Sequence, residues 1–202
     1  MFTARRLTLI NLRCYAPSVS RREQILETAA GLFAERGYHG VSVNDIGEAC
    51  GISGPALYKH FAGKEDLLAQ SLTSISERLL SEGRRRRAEA PDASAALDAL
   101  VAWHVEFALT HPALIVIQDR EWSNLPERAQ AAVRELQLAY IDAWVETLRE
   151  LRPDLDRGTA RAATQAVFGL INSTPHSARI SSDSMARLLA TMARDALLAS
   201  GA

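Results

Sequence analysis

The sequence predicts an all-α protein of about nine helices, and three observations carry that reading. Apolar residues recur every three or four positions along most of the chain, helix-capping residues stand ahead of these runs, and strand signals are missing. No Asn-Gly or Asp-Gly hairpin pair occurs, and no run alternates strictly with period two. The 202 residues make one large domain or two small ones. At 48% hydrophobic and 23% charged the chain is an ordinary globular one with ample length to bury a core.

The helices follow in order. Ser20 with Glu23 fits a capping box, in which the serine oxygen accepts an early helix N–H and the glutamate reaches back. Behind it Ile25, Ala29, Leu32 and Phe33 share a face, and Arg36-Gly37 ends the run, glycine tolerating a left-handed C-terminal cap. Ser42 opens a short second helix with Asp45 as the reciprocal cap and Val43, Ile46 and Ala49 as its apolar stripe. Gly51 follows, then Ser53 caps a third helix whose first turn accepts Pro55. A longer fourth helix begins at Lys64-Glu65-Asp66 and ends in Arg84 to Arg87, a run read as a solvated helix end.

Pro91-Asp92 marks a break. Beyond it the periodicity predicts helices over about 93–110, 112–122, 126–151, 157–174 and 183–199, with Asn124 and Glu127 read as a further capping box. The division expected is an arm over 1–19 that is disordered, an N-terminal domain over 20–80 and a helical domain over 81–202.

Charge and cysteine use narrow the possibilities. The 23 basic and 24 acidic residues give a net charge of −1, which excludes a bulk-basic nucleic-acid packer but not a locally basic reader. Cys14 and Cys50 are too few for a disulfide framework or a cysteine-built zinc site, so a reducing, cytoplasmic setting is expected. The apolar patch Leu7–Leu12 is broken by Thr8 and Asn11 and followed by Arg13, unlike a secretory signal, and no stretch approaches the roughly 20 apolar residues of a membrane span.

Function is carried by the segment of about 43–62, in which two short helices are joined at Gly51. That spacing fits a helix-turn-helix, where a supporting helix packs across a recognition helix that enters the DNA major groove. The run Ser42-Val-Asn-Asp-Ile-Gly-Glu-Ala-Cys-Gly-Ile-Ser-Gly-Pro-Ala-Leu-Tyr-Lys-His-Phe61, preceded by Arg22-Glu-Gln-Ile-Leu26 and followed by Gly63-Lys-Glu-Asp-Leu-Leu68, resembles the tetracycline-repressor (TetR) family of transcriptional regulators. Ser42 stands where that family has threonine, and Ile52 where it has valine. The resemblance implies a three-helix DNA-binding head, a C-terminal helical effector-binding and dimerisation domain, and a double-stranded DNA operator.

The resemblance also implies roles for single residues. Ser42 would donate to a phosphate, and Ser53, Gly54 and Pro55 would face base edges. Tyr58, Lys59 and His60 would reach phosphates or outward bases, and Lys64 would clamp a phosphate. Of the arginines before the first helix, Arg21 and Arg22 are the better phosphate candidates. In the second half Trp103, His104, Phe107, Trp122, Tyr140, Trp144, Phe168, Asn172 and His176 are candidates to line an effector cavity. Phe168, Ile171, Leu188, Leu189 and Met192 are candidates for a homodimer interface. The stretch Gly169-Leu-Ile-Asn-Ser-Thr-Pro-His176 looks like one in family members that sense acyl-coenzyme A esters, with Arg120 and Arg179 as candidate phosphate partners.

No zincin spacing, Gly-x-Ser-x-Gly elbow or phosphate-binding loop occurs, so neither an enzyme nor a cofactor is expected. The function expected is a dimeric repressor released from a palindromic operator by a small-molecule effector. The alternative is a helical ligand-binding protein with a non-functional DNA-binding head.

Overall fold

The computed structural model describes residues 20–199; the arm over 1–19, with Arg5, Arg6, Arg13 and Cys14, lies outside the described residues. Among the described residues ten α-helical segments follow one another without a strand. They are α1 (Arg21–Arg36), α2 (Val43–Ala49), α3 (Gly54–Leu57), α4 (Lys64–Glu89), α5 (Ala93–Thr110), α6 (Pro112–Arg120), α7 (Glu127–Leu151), α8 (Arg157–Ile171), α9 (Thr174–Ser177) and α10 (Ser182–Leu198).

The predicted caps form. Ser20–Glu23 and Ser42–Asp45 are complete capping boxes, and Ser53 accepts from the Ala56 amide at the head of α3. Gly37 (φ +75°) closes α1 and Gly51 (φ +66°) turns the chain between α2 and α3, both in backbone that disfavours any side chain. The small core of the head joins Ile25, Ala29, Phe33, Val41, Ile46, Leu57 and Phe61 to Leu67 and Leu68 at the start of α4. A fully buried Phe or Leu contributes roughly 1.5–3 kcal/mol, which is how so short a recognition segment is held.

α4 has 26 residues, about 39 Å of rise, and passes through position 80 without a break. It packs on α1 in the head and on α5 and α7 beyond it. α10 covers α5 and α8, while α6 lies between α1 on one side and α4, α5 and α9 on the other. Arg84 and Arg85 are exposed, as read from the sequence, but Arg86 and Arg87 are half-buried and tie α4 to α5 and α7, so only the first half of the run is a solvated helix face. Arg85 pairs with Glu82 and Glu89, Arg86 with Glu82 and Glu106, and Arg87 with Glu146 and Glu150.

Three boundaries differ from expectation. Asn124 does not cap α7: its amide donates to Glu121 Oε2 from a 3₁₀ turn over Trp122–Asn124, and Pro126 precedes the helix without a side-chain cap. α6 stops at Arg120 because that turn begins. The predicted helix over 157–174 stops at Ile171, with Pro175 starting the separate single turn α9, since proline cannot supply the amide a continuous helix requires.

Candidate functional site

Two regions are candidates for function, the α2–α3 head and a cavity under α6. In the head, the Ser42 hydroxyl donates to Asp45 Oδ2 at 2.6 Å while its oxygen accepts from the Asp45 amide, so its proton is engaged within the cap. α2 and α3 meet closely. A Cβ on Gly47 would stand 2.9 Å from the Ile52 carbonyl oxygen, and one on Gly54 2.5 Å from Asn44 Oδ1. Ser53, Pro55, Tyr58, Lys59 and His60 are all exposed, Tyr58 by 57%, and together they make one solvent-facing edge on and just after α3.

Arg22 and Lys64 are placed differently from expectation. Arg22 donates to the His60 carbonyl and to Gln70, with its guanidinium 4.8 Å from the Phe61 ring centre. Arg21 donates to the Cys50 carbonyl. These two arginines therefore tie α1 to both turns that flank the recognition segment. Lys64 donates to the Tyr38 carbonyl at 2.8 Å and sits over the Tyr38 ring at 4.2 Å, holding the α1–α2 loop against α4.

A half-open cavity of ≈ 220 Å³ lies between α4, α5, α6, α7 and α8. Its wall takes Ser76 and Leu79 from α4, His104 and Phe107 from α5, and Ile115 and Gln118 from α6. Gln137, Tyr140 and Ile141 of α7 complete it with Gln165, Phe168 and Asn172. Of the sequence-predicted ligand residues, His104, Phe107, Tyr140, Phe168 and Asn172 converge there. Trp144 is buried edge-on to Phe168 at 5.0 Å but is not on the wall.

Trp103 faces away from the cavity, donating to the Leu79 carbonyl under Arg86. Trp122 lies in the 3₁₀ turn beside Arg134, and His176 is exposed on α9. Sequence reasoning missed Gln137, which lies one turn before Tyr140 on the same face of α7 and was findable by that spacing.

The centre of the cavity is aromatic and polar together. His104 stacks on Phe168 at 4.3 Å, with Phe107, Tyr140 and Trp144 within 6 Å. Both His104 nitrogens, the Tyr140 hydroxyl, Gln137 Nε2 and Asn172 Oδ1 are buried without a hydrogen-bond partner. Burial holds His104 down at about 4, so its imidazole is neutral at physiological pH, and burial pushes the Tyr140 phenol up.

The unfolded chain binds a proton at position 104 near pH 6.5 that the folded chain refuses until about pH 4. Stability should therefore fall as pH drops through that window. Half-buried His111, also lowered by burial, adds to the fall. Urea midpoints at stepped pH should show a shallower decline for His104→Phe than for the natural chain.

The dimer candidates divide. Leu188 and Met192 are exposed by 47% and 43% on α10. Ile171 and Leu189, expected at the homodimer interface, are instead buried within the single chain, and half-buried Phe168, expected there too, stacks on His104 at the cavity wall. Arg120 donates to the Ala34 carbonyl at the end of α1, and exposed Arg179 is not on the cavity wall. Neither faces the cavity as a phosphate partner.

Comparison with known proteins adds to this geometry. Residues 25–70 match the family of bacterial regulatory proteins, tetR family, and residues 90–196 match the tetracyclin repressor-like C-terminal domain. The chain is 32% identical over 143 residues to the HTH-type transcriptional repressor KstR2 of Rhodococcus jostii (strain RHA1), covering 67% of this chain and 70% of that protein. A TetR-family transcriptional regulator from Bordetella parapertussis 12822 superimposes with a TM-score of 0.76 at 30% identity, over 86% of this chain and 94% of the other. The structure of the ketosteroid transcriptional regulator KstR2 of Mycobacterium tuberculosis gives 0.68 at 25% identity, over 88% and 93%.

Proposed function

The chain belongs to the tetR family of bacterial regulatory proteins, and from that premise we propose that it is a cytoplasmic, homodimeric repressor of transcription. A small molecule entering the α4–α8 cavity lowers its operator affinity. The relatives named KstR2 are repressors by their names, which supports the sign of regulation. The observation that carries the reading is that two helices link head and cavity, α4 by running through both and α6 by touching α1. α4 runs from Lys64 in the head to Ser76 and Leu79 on the cavity wall. α6 places Ile115 and Gln118 on that wall and Arg120 on the end of α1.

The exposed edge from Ser53 to His60 is the DNA-reading face in this proposal. With no bidentate base reader at Ser53, Gly54 or Pro55, specificity leans on thymine-methyl contact and DNA shape. Lys59 is exposed, whereas Lys64 is engaged with Tyr38. Lys59→Ala should weaken binding to all DNA and lower the salt slope by about one unit. Lys64→Ala should change the slope less and the melting temperature more. Anisotropy titrations over a salt series check both.

The domain division proposed is a head over 20–80 and an effector and dimerisation domain over 81–202, with α4 common to both. The exposed Leu188 and Met192 form the centre of the proposed interface between copies of α10. Leu188→Asp with Met192→Asp should shift sedimentation from dimer to monomer and abolish tight operator binding, because two heads about one DNA turn apart are needed. Acyl-coenzyme A esters are the first effectors to test. With Arg120 fixed on Ala34, only the acyl part enters the cavity and the nucleotide stays outside. Release of the protein from DNA by one ester supports this; no release by any ester, with DNA binding intact, moves the effector to another class.

A further inference from the structure

The cavity wall holds no Lys, Arg, Asp or Glu, yet four of its side chains present buried polar atoms without partners. Neutral His104 offers one N–H donor and one acceptor nitrogen, and the Tyr140 hydroxyl offers both as well. Asn172 adds an acceptor and Gln137 a donor. Asn172 lies beside His104, and Trp144 beside Tyr140, without either pair closing to hydrogen-bond geometry. The remaining wall is Leu79, Phe107, Ile115, Ile141 and Phe168, together with Ser76, whose hydroxyl donates to the Leu72 carbonyl, and two further glutamines, Gln118 and Gln165.

We infer that the group this cavity takes is uncharged, with an apolar body and a polar function that both donates and accepts hydrogen bonds, such as a hydroxy-carbonyl or an amide. An anion has acceptors only. It would leave the acceptors of His104 and Asn172 unanswered and lose its own hydration with no cation on the wall. A plain hydrocarbon chain would displace water from all four groups and return no hydrogen bond. At ≈ 220 Å³ the space lies below the roughly 300–1,000 Å³ usual for pockets that take a drug-sized ligand, so the buried group is small. This rests on the reading of the cavity as the effector site. Where the effector is an acyl-coenzyme A ester, it assigns an oxygen-bearing acyl group rather than an unbranched alkyl one.

Three probes with one heavy-atom skeleton test the inference on the full chain without DNA: benzamide, benzoate and isopropylbenzene. Ligand-observed NMR should give benzamide the tightest binding, about tenfold or more over either isostere, a gap of about 1.4 kcal/mol. His104→Phe, which keeps an aromatic ring of similar size in the stack, should erase that preference. Benzoate or isopropylbenzene binding as tightly as benzamide overturns the inference. So does a preference that survives His104→Phe, or no binding by any probe. Operator release is read separately. Benzamide selectivity with an operator that no cavity ligand releases would leave the chemical assignment standing and overturn the regulatory reading.

Discussion

Arg120→Ala is expected to leave effector binding intact and to remove most of the effector's influence on operator affinity. Arg120 ends α6, donates to the Ala34 carbonyl at 3.0 Å and lies 3.6 Å from buried Glu121. Ala34 is in the last turn of α1, where carbonyls lack helical partners and favour a cation. Gly37, whose positive φ favours glycine, lies beside this contact, a Cβ there standing at an ordinary 3.5 Å from the guanidinium. One turn back on α6, Gln118 and Ile115 are cavity wall.

From the other end of α1, Arg21 reaches the Cys50 carbonyl and Arg22 the His60 carbonyl, the two turns that hold the recognition segment. In the proposed repressor, a ligand that displaces α6 would therefore shift α1 and, through Arg21 and Arg22, the exposed edge from Ser53 to His60. Allosteric coupling of this kind is typically about 1–3 kcal/mol, or roughly 5–150-fold in affinity. Anisotropy titrations with and without saturating effector should give a ratio near one for Arg120→Ala. Full release by this variant would place the coupling in α4 instead.

Gly83→Ala is the substitution with the largest expected effect on stability. A Cβ at position 83 would stand 2.6 Å from Tyr140 Cε2 and 3.4 Å from Leu100 Cδ2, at the crossing of α4 and α7. Tyr140 is buried, so its ring cannot swing out to solvent. Overpacking of this sort costs about 1–3 kcal/mol, which in a chain of this size lowers the melting temperature by roughly 2–12 °C. The displaced ring moves on the cavity wall, so effector affinity falls with stability. Adding Tyr140→Leu should recover part of the melting temperature, because the smaller side chain removes the collision. No recovery would show that Leu100 or the α4 backbone carries the strain.

How much of this could be read from the sequence depends on whether the signal was local. The caps at Ser20, Ser42 and Ser53, and the turn at Gly51, are chemistry within three or four residues, and each formed as read. The faces of α5 were not readable. Leu97, Leu100, Val101, Trp103, His104, Val105, Phe107 and Ala108 are all buried, so helical spacing could not tell Trp103, outside the cavity, from His104, at its centre. Residues that look alike by type divided by tertiary contact for the same reason. Leu188 stays exposed while neighbouring Leu189 is core. Arg22 and Lys64, read as phosphate contacts, have intramolecular partners on elements distant in sequence.

The most direct test of the account is selection of DNA ligands by the purified protein from a random-sequence duplex pool, followed by sequencing. The account predicts enrichment of a two-fold symmetric site whose half-sites lie about one helical turn, roughly 10 base pairs, apart. It also predicts that an Ala substitution at Tyr58 or Lys59 reduces the yield. A pool that stays unenriched, from protein that still binds cavity ligands, would contradict it and establish a helical ligand-binding protein with a non-functional head.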